Sequence, residues 1–456
     1  MTGLWTADEI AAATGGTASA PFTVTGVAFD SREVGPGDLF VALTGETTDG
    51  HRFIDQALAQ GAAGLLVSSP VAAPHVRVAD SAAALQALGA AARARSGARI
   101  IGVTGSVGKT GTKEALFAAL DRFMPGRVHR SVKSYNNHVG VPLSLARMPR
   151  DAAFAVFEMG MNHAGELDAL TRLVRPHVAL VTAIAPAHAA FFASEAEIAD
   201  AKGEIFRGLE PGGVAILPFD SPHRDRLRAA ARPYADDILT FGLGTGADVR
   251  ATESVRIAEG TLVNAVLPKA ALTFQIGLPG AHWVSNALAV LAAVEAAGGD
   301  LPAAGVALAE LAGLPGRGAR RRVPLPDGEA LLIDESYNAN PASMAATIRE
   351  LGHAPGRHLV VLGEMRELGE GSADYHRALD APLIEAGVAL AILVGPAMAP
   401  LAESLEGRIA VAHVADAGAA ERMLAEHIRP GDAVLVKGSN AIGLARVVSA
   451  LAGEIG

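Results

Sequence analysis

Short apolar runs alternate with alanine-rich stretches of helical spacing along the whole chain, and the rhythm changes three times. Between Trp5 and Arg95 the runs 38–43 and 63–67 are separated by such stretches, which predicts a small α/β unit. A turn at 96–98 precedes the apolar run 100–103, a glycine-rich loop and a helix from about Thr110. Strands are expected at 153–158, 178–184 and 213–217, with helices at about 163–175 and 195–208, the βαβ rhythm of a parallel sheet. Shorter alternating runs over 247–276 predict an antiparallel addition, followed by an alanine-rich helix at about 283–297. The Gly- and Pro-dense segment 312–318 then separates that helix from a strand at 331–333. Strands at 357–362, 389–394 and 432–437, with helices between, predict a further doubly wound, Rossmann-like unit. The expected fold class is α/β in three units, 1–97, 98–313 and 314–456, the central one a parallel-sheet nucleotide-binding unit.

Composition narrows the classes of function. Of 456 residues, 50% are hydrophobic and 19% charged, enough apolar surface to offset the entropy of ordering. Acidic residues outnumber basic ones 48 to 38, and the only basic run is Arg320-Arg321-Arg322, so nucleic acid is not an expected partner. Residues 1–10 carry Asp8 and Glu9 and no basic segment, which does not read as a signal peptide. The longest apolar stretch, 388–402, is interrupted by Gly395, Pro396 and Pro400, so no membrane insertion is expected. Zero cysteines exclude disulfides, thiolate metal sites and Cys nucleophiles and fit a reducing cytoplasm.

The strongest local signal is Gly102-Val-Thr104-Gly105-Ser106-Val107-Gly108-Lys109-Thr110, after a strand and opening a helix. That is the context of a phosphate loop. Glycines admit the phosphates, amides and the helix N-terminus face their charge, Lys109 neutralises β/γ oxygens and Thr110 can hold Mg²⁺. The run reads G-x-x-G-x-x-G-K-T rather than the usual G-x-x-x-x-G-K-[ST]; a glycine-rich turn with an incidental lysine is the competing reading. Glu158 ends the run 153–157, so its carboxylate should emerge where open α/β sheets bind ligands, within reach of the nucleotide's metal. His188 follows the next strand and converges on the same edge, although Mg²⁺ ordinarily prefers oxygen and a loop histidine is the alternative. Lys202, on a predicted amphipathic helix, reads from pattern alone as a solvated surface lysine.

Larger motifs carry a resemblance. The run 30–43, Asp-Ser-Arg-Glu-Val-Gly-Pro-Gly-Asp-Leu-Phe-Val-Ala-Leu, with Gly45-Glu46 and Asp49-Gly50-His51, resembles the UDP-sugar unit of the Mur ligases. Tyr135-Asn136-Asn137, Gly140-Val141-Pro142 and Glu158-Met-Gly-Met-Asn162-His163-Ala-Gly-Glu166 are similar to that family's central unit. Asp334-Glu-Ser-Tyr337-Asn338-Ala-Asn340-Pro341, 363–369, His376 and Val436-Lys437-Gly438-Ser439 resemble the member that adds a dipeptide. The Asn-Pro-Arg motif of the member that adds diaminopimelate or lysine is absent. The nearest alternative is a ligase of the same superfamily that adds one amino acid or acts on a folate; a more distant one is a non-catalytic nucleotide-binding protein.

The resemblance implies a three-domain Mur ligase architecture with a phosphate-loop ATPase centre. It implies an ATP- and Mg²⁺-dependent cytoplasmic monomer that joins D-alanyl-D-alanine to a UDP-N-acetylmuramoyl tripeptide through an acyl phosphate. It implies that Glu158 and His188 serve magnesium and that Lys202 is carbamylated, which turns an ammonium into an oxygen ligand. Lys109, Glu158, His188 and Lys202 become catalytic candidates. Asn286, Arg317 and Asp334 become nucleotide contacts. Ser31, Arg32, Asn136, Asn137, Asn162, Tyr337, Asn338, Lys437 and Ser439 become substrate contacts. The chain departs from the family at Ala189-Ala190, where Leu-Glu is usual after the histidine, and at Asn440, where Arg is usual. Arg446 or Lys437 would then serve the dipeptide's carboxylate, since an arginine fork is the natural partner of that group.

Overall fold

The computed structural model describes residues 3–45, 48–186, 191–258 and 260–453. Three large sheets organise the three stretches of alternating pattern, with a two-stranded ribbon of Trp5–Thr6 and Thr23–Val24 beside the first. The first orders its strands Thr17–Ala18, His75–Arg77, Gly64–Val67, Asp38–Val41, Gly26–Ala28 and is parallel except at the Thr17–Ala18 edge.

The central sheet has nine strands. Its parallel part runs Val128–Arg130, Phe154–Glu158, Arg99–Thr104, Val178–Val181, Val214–Pro218, Asp237–Gly242, Val249–Ile257. The inner strands Phe154–Glu158, Arg99–Thr104, Val178–Val181 and Val214–Pro218 are buried on both faces because helices cover both, as a parallel sheet requires. Gly260–Val266 and Ala271–Ile276 extend it antiparallel. The expected antiparallel addition is thus partly corrected: its first strand, Val249–Ile257, pairs parallel with Asp237–Gly242. The helix expected over 195–208 is α-helical only over Glu195–Gly203 and tightens to a 3-10 turn over Glu204–Gly208. Helix Ala281–Ala297 is buried nearly all round against the sheet.

The last sheet orders Ala319–Leu325, Gly328–Glu335, Ala433–Lys437, His358–Gly363, Val388–Val394, Ala410–Val414. Only the hairpin at its Ala319–Leu325 edge is antiparallel. No described helix is long and apolar enough to cross a membrane.

The first unit is fastened to the second by many specific contacts. Trp5 donates its indole N–H to the Ala146 carbonyl at 2.8 Å, and Arg147 reaches the Val27 carbonyl at 2.9 Å. Helix Ser81–Ala94 packs on helix Gly140–Ala146, and its Arg93 caps the carbonyls of Val174 and Arg175 at 2.8 Å each. Glu33 accepts from Tyr135 at 2.8 Å and pairs with Lys133. The third unit packs on the second only lightly among the described residues. Glu350 of helix Pro341–Leu351 grips Arg256 at 2.5 Å, and Arg317 reaches Ser134 at 3.5 Å.

Candidate active-site cleft

A cleft of about 580 Å³ lies where the strand ends of the central sheet face those of the last sheet. Its floor is the phosphate loop. Gly105 sits at φ +149° and Gly108 at φ +87°, and a Cβ on Gly105 would stand 1.9 Å from Thr182 Oγ1, so the loop is closed to any side chain there. Helix Lys109–Phe123 starts at Gly108 with no side-chain cap, leaving its first amides free for an anion. Ser106 Oγ is buried and has no hydrogen-bond partner among the described residues, an orphan that a phosphate oxygen would satisfy. Lys109 Nζ rests on the Gly105 carbonyl at 2.6 Å. Burial pushes its ammonium below the ordinary lysine range; Arg317 pushes the same way and Glu158 opposes. These features fit a nucleotide triphosphate.

Glu158 closes its strand and is 1% exposed. Its Oε2 accepts from Thr110 Oγ1 at 2.9 Å, and its Oε1 from Asn136 Nδ2 at 2.8 Å. Two oxygen donors, a hydroxyl and a carboxylate, therefore stand together where a hard cation would sit beside the phosphates. Lys202 is corrected from surface to interior: it is 1% exposed, and no carboxylate among the described residues pairs with it. Burial holds its ammonium well below the lysine range, and the nearby charge of Lys109 adds to this. Lys202 does not line the cleft itself; a carbamate on its amine would supply the kind of oxygen donor that a magnesium site favours. His188 lies outside the described residues, as do Ala189, Ala190 and Glu46.

Several predicted residues converge on the cleft from other elements. Asn286 packs its amide over Gly108, Asn162 lies beyond Glu158, and Arg317 stacks 4.2 Å over the Tyr337 ring. Asn338 and Lys437 line the opposite wall; Lys437 is 2% exposed and donates to the Asn338 carbonyl at 2.9 Å.

Others stay out of the cleft lining. Thr104 is buried beneath the loop. Asn137 spends its side chain on the amides of Val139 and Gly140, starting the next helix. Asp334 is turned inward, accepting from the amide of Gly316 at 2.6 Å and from Ser336 Oγ at 2.7 Å. Ser439 Oγ accepts from the Arg366 amide. His376 is fully buried and accepts from the Met365 amide at 2.9 Å, bracing the segment 363–369. Ser31 and Arg32 belong to the first unit, Ser31 bonded to Gln56 and Arg32 to Asp30. Arg446, a candidate for the dipeptide carboxylate, is not in the cleft; it pairs with Glu421 on the outer surface at 2.8 Å, whereas Lys437 and Asn440 do line it.

Lys113 was not visible as a site residue. It is fully buried behind the loop, 2.9 Å from Glu114 and 4.0 Å from Glu158, and it donates to the Lys133 carbonyl at 2.5 Å. Its only signal was its place one turn after Lys109.

The fold and the cleft define a phosphate-loop α/β protein whose nucleotide floor is roofed by a second doubly wound sheet. Models of the Mur ligase middle domain, of the Mur ligase glutamate ligase domain and of the Mur ligase family catalytic domain match residues 103–294, 321–440 and 23–125. UDP-N-acetylmuramoyl-tripeptide–D-alanyl-D-alanine ligase of Escherichia coli (strain K12) is 38% identical, with 82% of each chain covered. Its namesake from Bacillus subtilis (strain 168) is 34% identical, covering 94% of this chain and 93% of the other. A crystal structure of MurF from Acinetobacter baumannii superposes with a TM-score of 0.85 at 31% identity, covering 98% of this chain and 99% of that one. MurF ligase from Thermotoga maritima in complex with ADP gives 0.78 at 27%, covering 94% and 98%. The chain belongs to the Mur ligase family.

Proposed function

We propose that this chain joins D-alanyl-D-alanine to a UDP-N-acetylmuramoyl tripeptide at the expense of ATP, in the synthesis of peptidoglycan precursors. The observation that carries the reading is the cleft itself, which brings Lys109 and Glu158 of the central unit opposite Asn338 and Lys437 of the last unit, in a chain 38% identical to a ligase of that name. The units are taken as 1–97 for the UDP-substrate, 98–313 for ATP and 314–456 for the dipeptide, in a monomeric cytoplasmic protein.

A carboxylate does not form an amide at neutral pH because oxide is a poor leaving group; transfer of the γ-phosphoryl group to the tripeptide's terminal carboxylate makes phosphate the leaving group instead. Lys109 exchanges the Gly105 carbonyl for β/γ oxygens, and Arg317 adds positive charge from the facing unit. Asn136 and Lys113 fix Glu158. Magnesium, held by Thr110, Glu158, His188 and carbamylated Lys202, would neutralise the transferring phosphoryl group. Asn286 stands at the adenine side, and Asp334 holds the Gly316 turn that presents Arg317. Ser31 and Arg32 receive the UDP portion; Asn162 and Tyr337 frame the two peptides, and Asn137 and Ser439 act from behind the cleft wall by holding the amides of Val139, Gly140 and Arg366. The light packing of the last unit lets it close about the segment 311–318.

The deciding experiment measures ADP release with ATP, Mg²⁺, UDP-muramoyl tripeptide and D-alanyl-D-alanine, omitting each organic substrate in turn and weighing the product. Pentapeptide mass with dependence on both substrates is expected. Turnover that requires a free amino acid and a shorter UDP-peptide would reassign the substrates, and no ADP release with any acceptor would refute the ligase reading.

A further inference from the structure

Two carboxylates line the cleft, Glu158 and Glu335. Glu158 is spent on Thr110 and Asn136 beside the phosphate loop. Glu335, the last residue of strand Gly328–Glu335, stands on the other wall, in register with Lys437 of the neighbouring strand. Lys437 Nζ approaches its Oε2 at 3.3 Å and fixes where that oxygen stands. Oε1 lies beside Gly318 and has no hydrogen-bond donor among the described residues. A Cβ at Gly318 would come within 3.4 Å of it, so the missing side chain keeps that oxygen approachable. The other titratable groups around Glu335 are His282 on the helix below, whose imidazolium burial disfavours, and Arg320 on the adjacent strand, already held by Glu350.

We propose that Glu335 receives the ammonium of the incoming dipeptide and takes its first proton, generating the nucleophile on the wall opposite the acyl phosphate. The proposal rests on the ligase reading above. An α-amino group titrates near about 8, so at neutral pH most of the acceptor arrives protonated and has no lone pair to attack with. Once one proton passes to the carboxylate, the nitrogen lone pair forms the C–N bond and the acyl C–O bond breaks toward phosphate. The second proton leaves on that phosphate as HPO₄²⁻, and the first goes on to solvent. The carboxylate is well suited to this because it binds the charged form and sits across the cleft from Lys109, not beside the phosphoryl oxygens it would repel.

The test compares two nucleophiles in Glu335→Gln. With D-alanyl-D-alanine, pentapeptide formation should fall by about 10²–10⁴-fold, the usual worth of a positioned acid–base group. With hydroxylamine, which is unprotonated at neutral pH and traps the acyl phosphate as a hydroxamate, the loss should be far smaller. The variant's rate with the dipeptide should also climb with pH toward the amine's own ionisation near about 8, because only solvent then removes the proton. Glu335→Asp, which keeps the carboxylate, should recover dipeptide transfer ahead of Gln. Equal losses with both nucleophiles, or equal rates for the Asp and Gln variants, would overturn the proposal. Wild-type protein that forms no pentapeptide refutes the ligase reading instead, and the same assay shows which has failed.

Discussion

Replacing Lys113 with Met keeps the length of the side chain and removes its charge, which isolates what a fully buried ammonium does behind the phosphate loop. In the folded protein Lys113 Nζ lies 2.9 Å from Glu114 and 4.0 Å from Glu158, and it satisfies the carbonyls of Lys133 and Ser131 at 2.5 and 3.4 Å. Without it, Glu158 loses the ammonium 4.0 Å away and keeps two neutral donors and the field of Lys109, and the carbonyl of Lys133, itself left-handed at φ +48°, is left unbonded. Removing one partner of a buried pair costs about 3–5 kcal/mol. For a central unit of roughly 200 residues, melting entropy of about 0.4 kcal/mol/K turns 4 kcal/mol into a fall in Tm of about 10 °C. Calorimetry of the ligand-free protein, with ADP titrated in parallel, reads both consequences, and nucleotide affinity should drop as the 131–137 segment loosens. A Tm within about 2 °C of wild type would show that Lys113 contributes no net electrostatic stability, and the account of how Glu158 is held would be wrong.

Three further outcomes follow from the same geometry. Burial pushes His129 down to about 4, with Arg147 and Arg130 adding to the shift against the opposing Ser144 carbonyl; the unfolded chain therefore binds more protons between about 6.5 and 4. Stability should be unaffected above that window and fall by up to about 3 kcal/mol as pH drops through it. Denaturant melts of His129→Gln against wild type should show a flatter acid limb, and parallel limbs would contradict this. Lys202→Ala should abolish turnover, with partial recovery on adding a small carboxylate; absence of recovery would remove the carbamate from the mechanism. Small-angle scattering should show a more compact particle with ATP analogue and both peptides bound, and identical profiles with and without ligands would exclude closure about 311–318.

Local motifs were legible where chemistry depends on contiguous residues. The phosphate loop needs only a strand, a run of glycines and a helix start, all within a dozen positions, and Glu158 could be placed because a strand's last residue must emerge at the sheet edge. Lys202 was misread from pattern although its spacing held the answer: it stands four residues after Ile198 and three after Ala199, both buried, and so on the same side of its helix as they do. Lys113 had no such signal, because what buries it is the strap 131–133 crossing from elsewhere in the chain. The strand Ala319–Leu325 escaped detection because three consecutive arginines interrupt any apolar alternation, as an edge strand with a hairpin partner on one side only allows. Strand Asp237–Gly242 was hidden for a different reason: its outer neighbour adds in parallel before the chain turns antiparallel, so the apolar alternation has no single period.

The uneven fastening of the three units gives the molecule a mechanical character. With the first sheet bolted to the second through Trp5, Arg147, Arg93 and Glu33, about two thirds of the chain is the fixed part, and the proposed closure would make the unit bearing Glu335 and Lys437 the rotor. A machine with one compliant joint has one dominant internal coordinate. In a chain that contains no cysteine, a single introduced pair of thiols, one on each side of that joint, would carry dyes reporting the entire cycle as one distance.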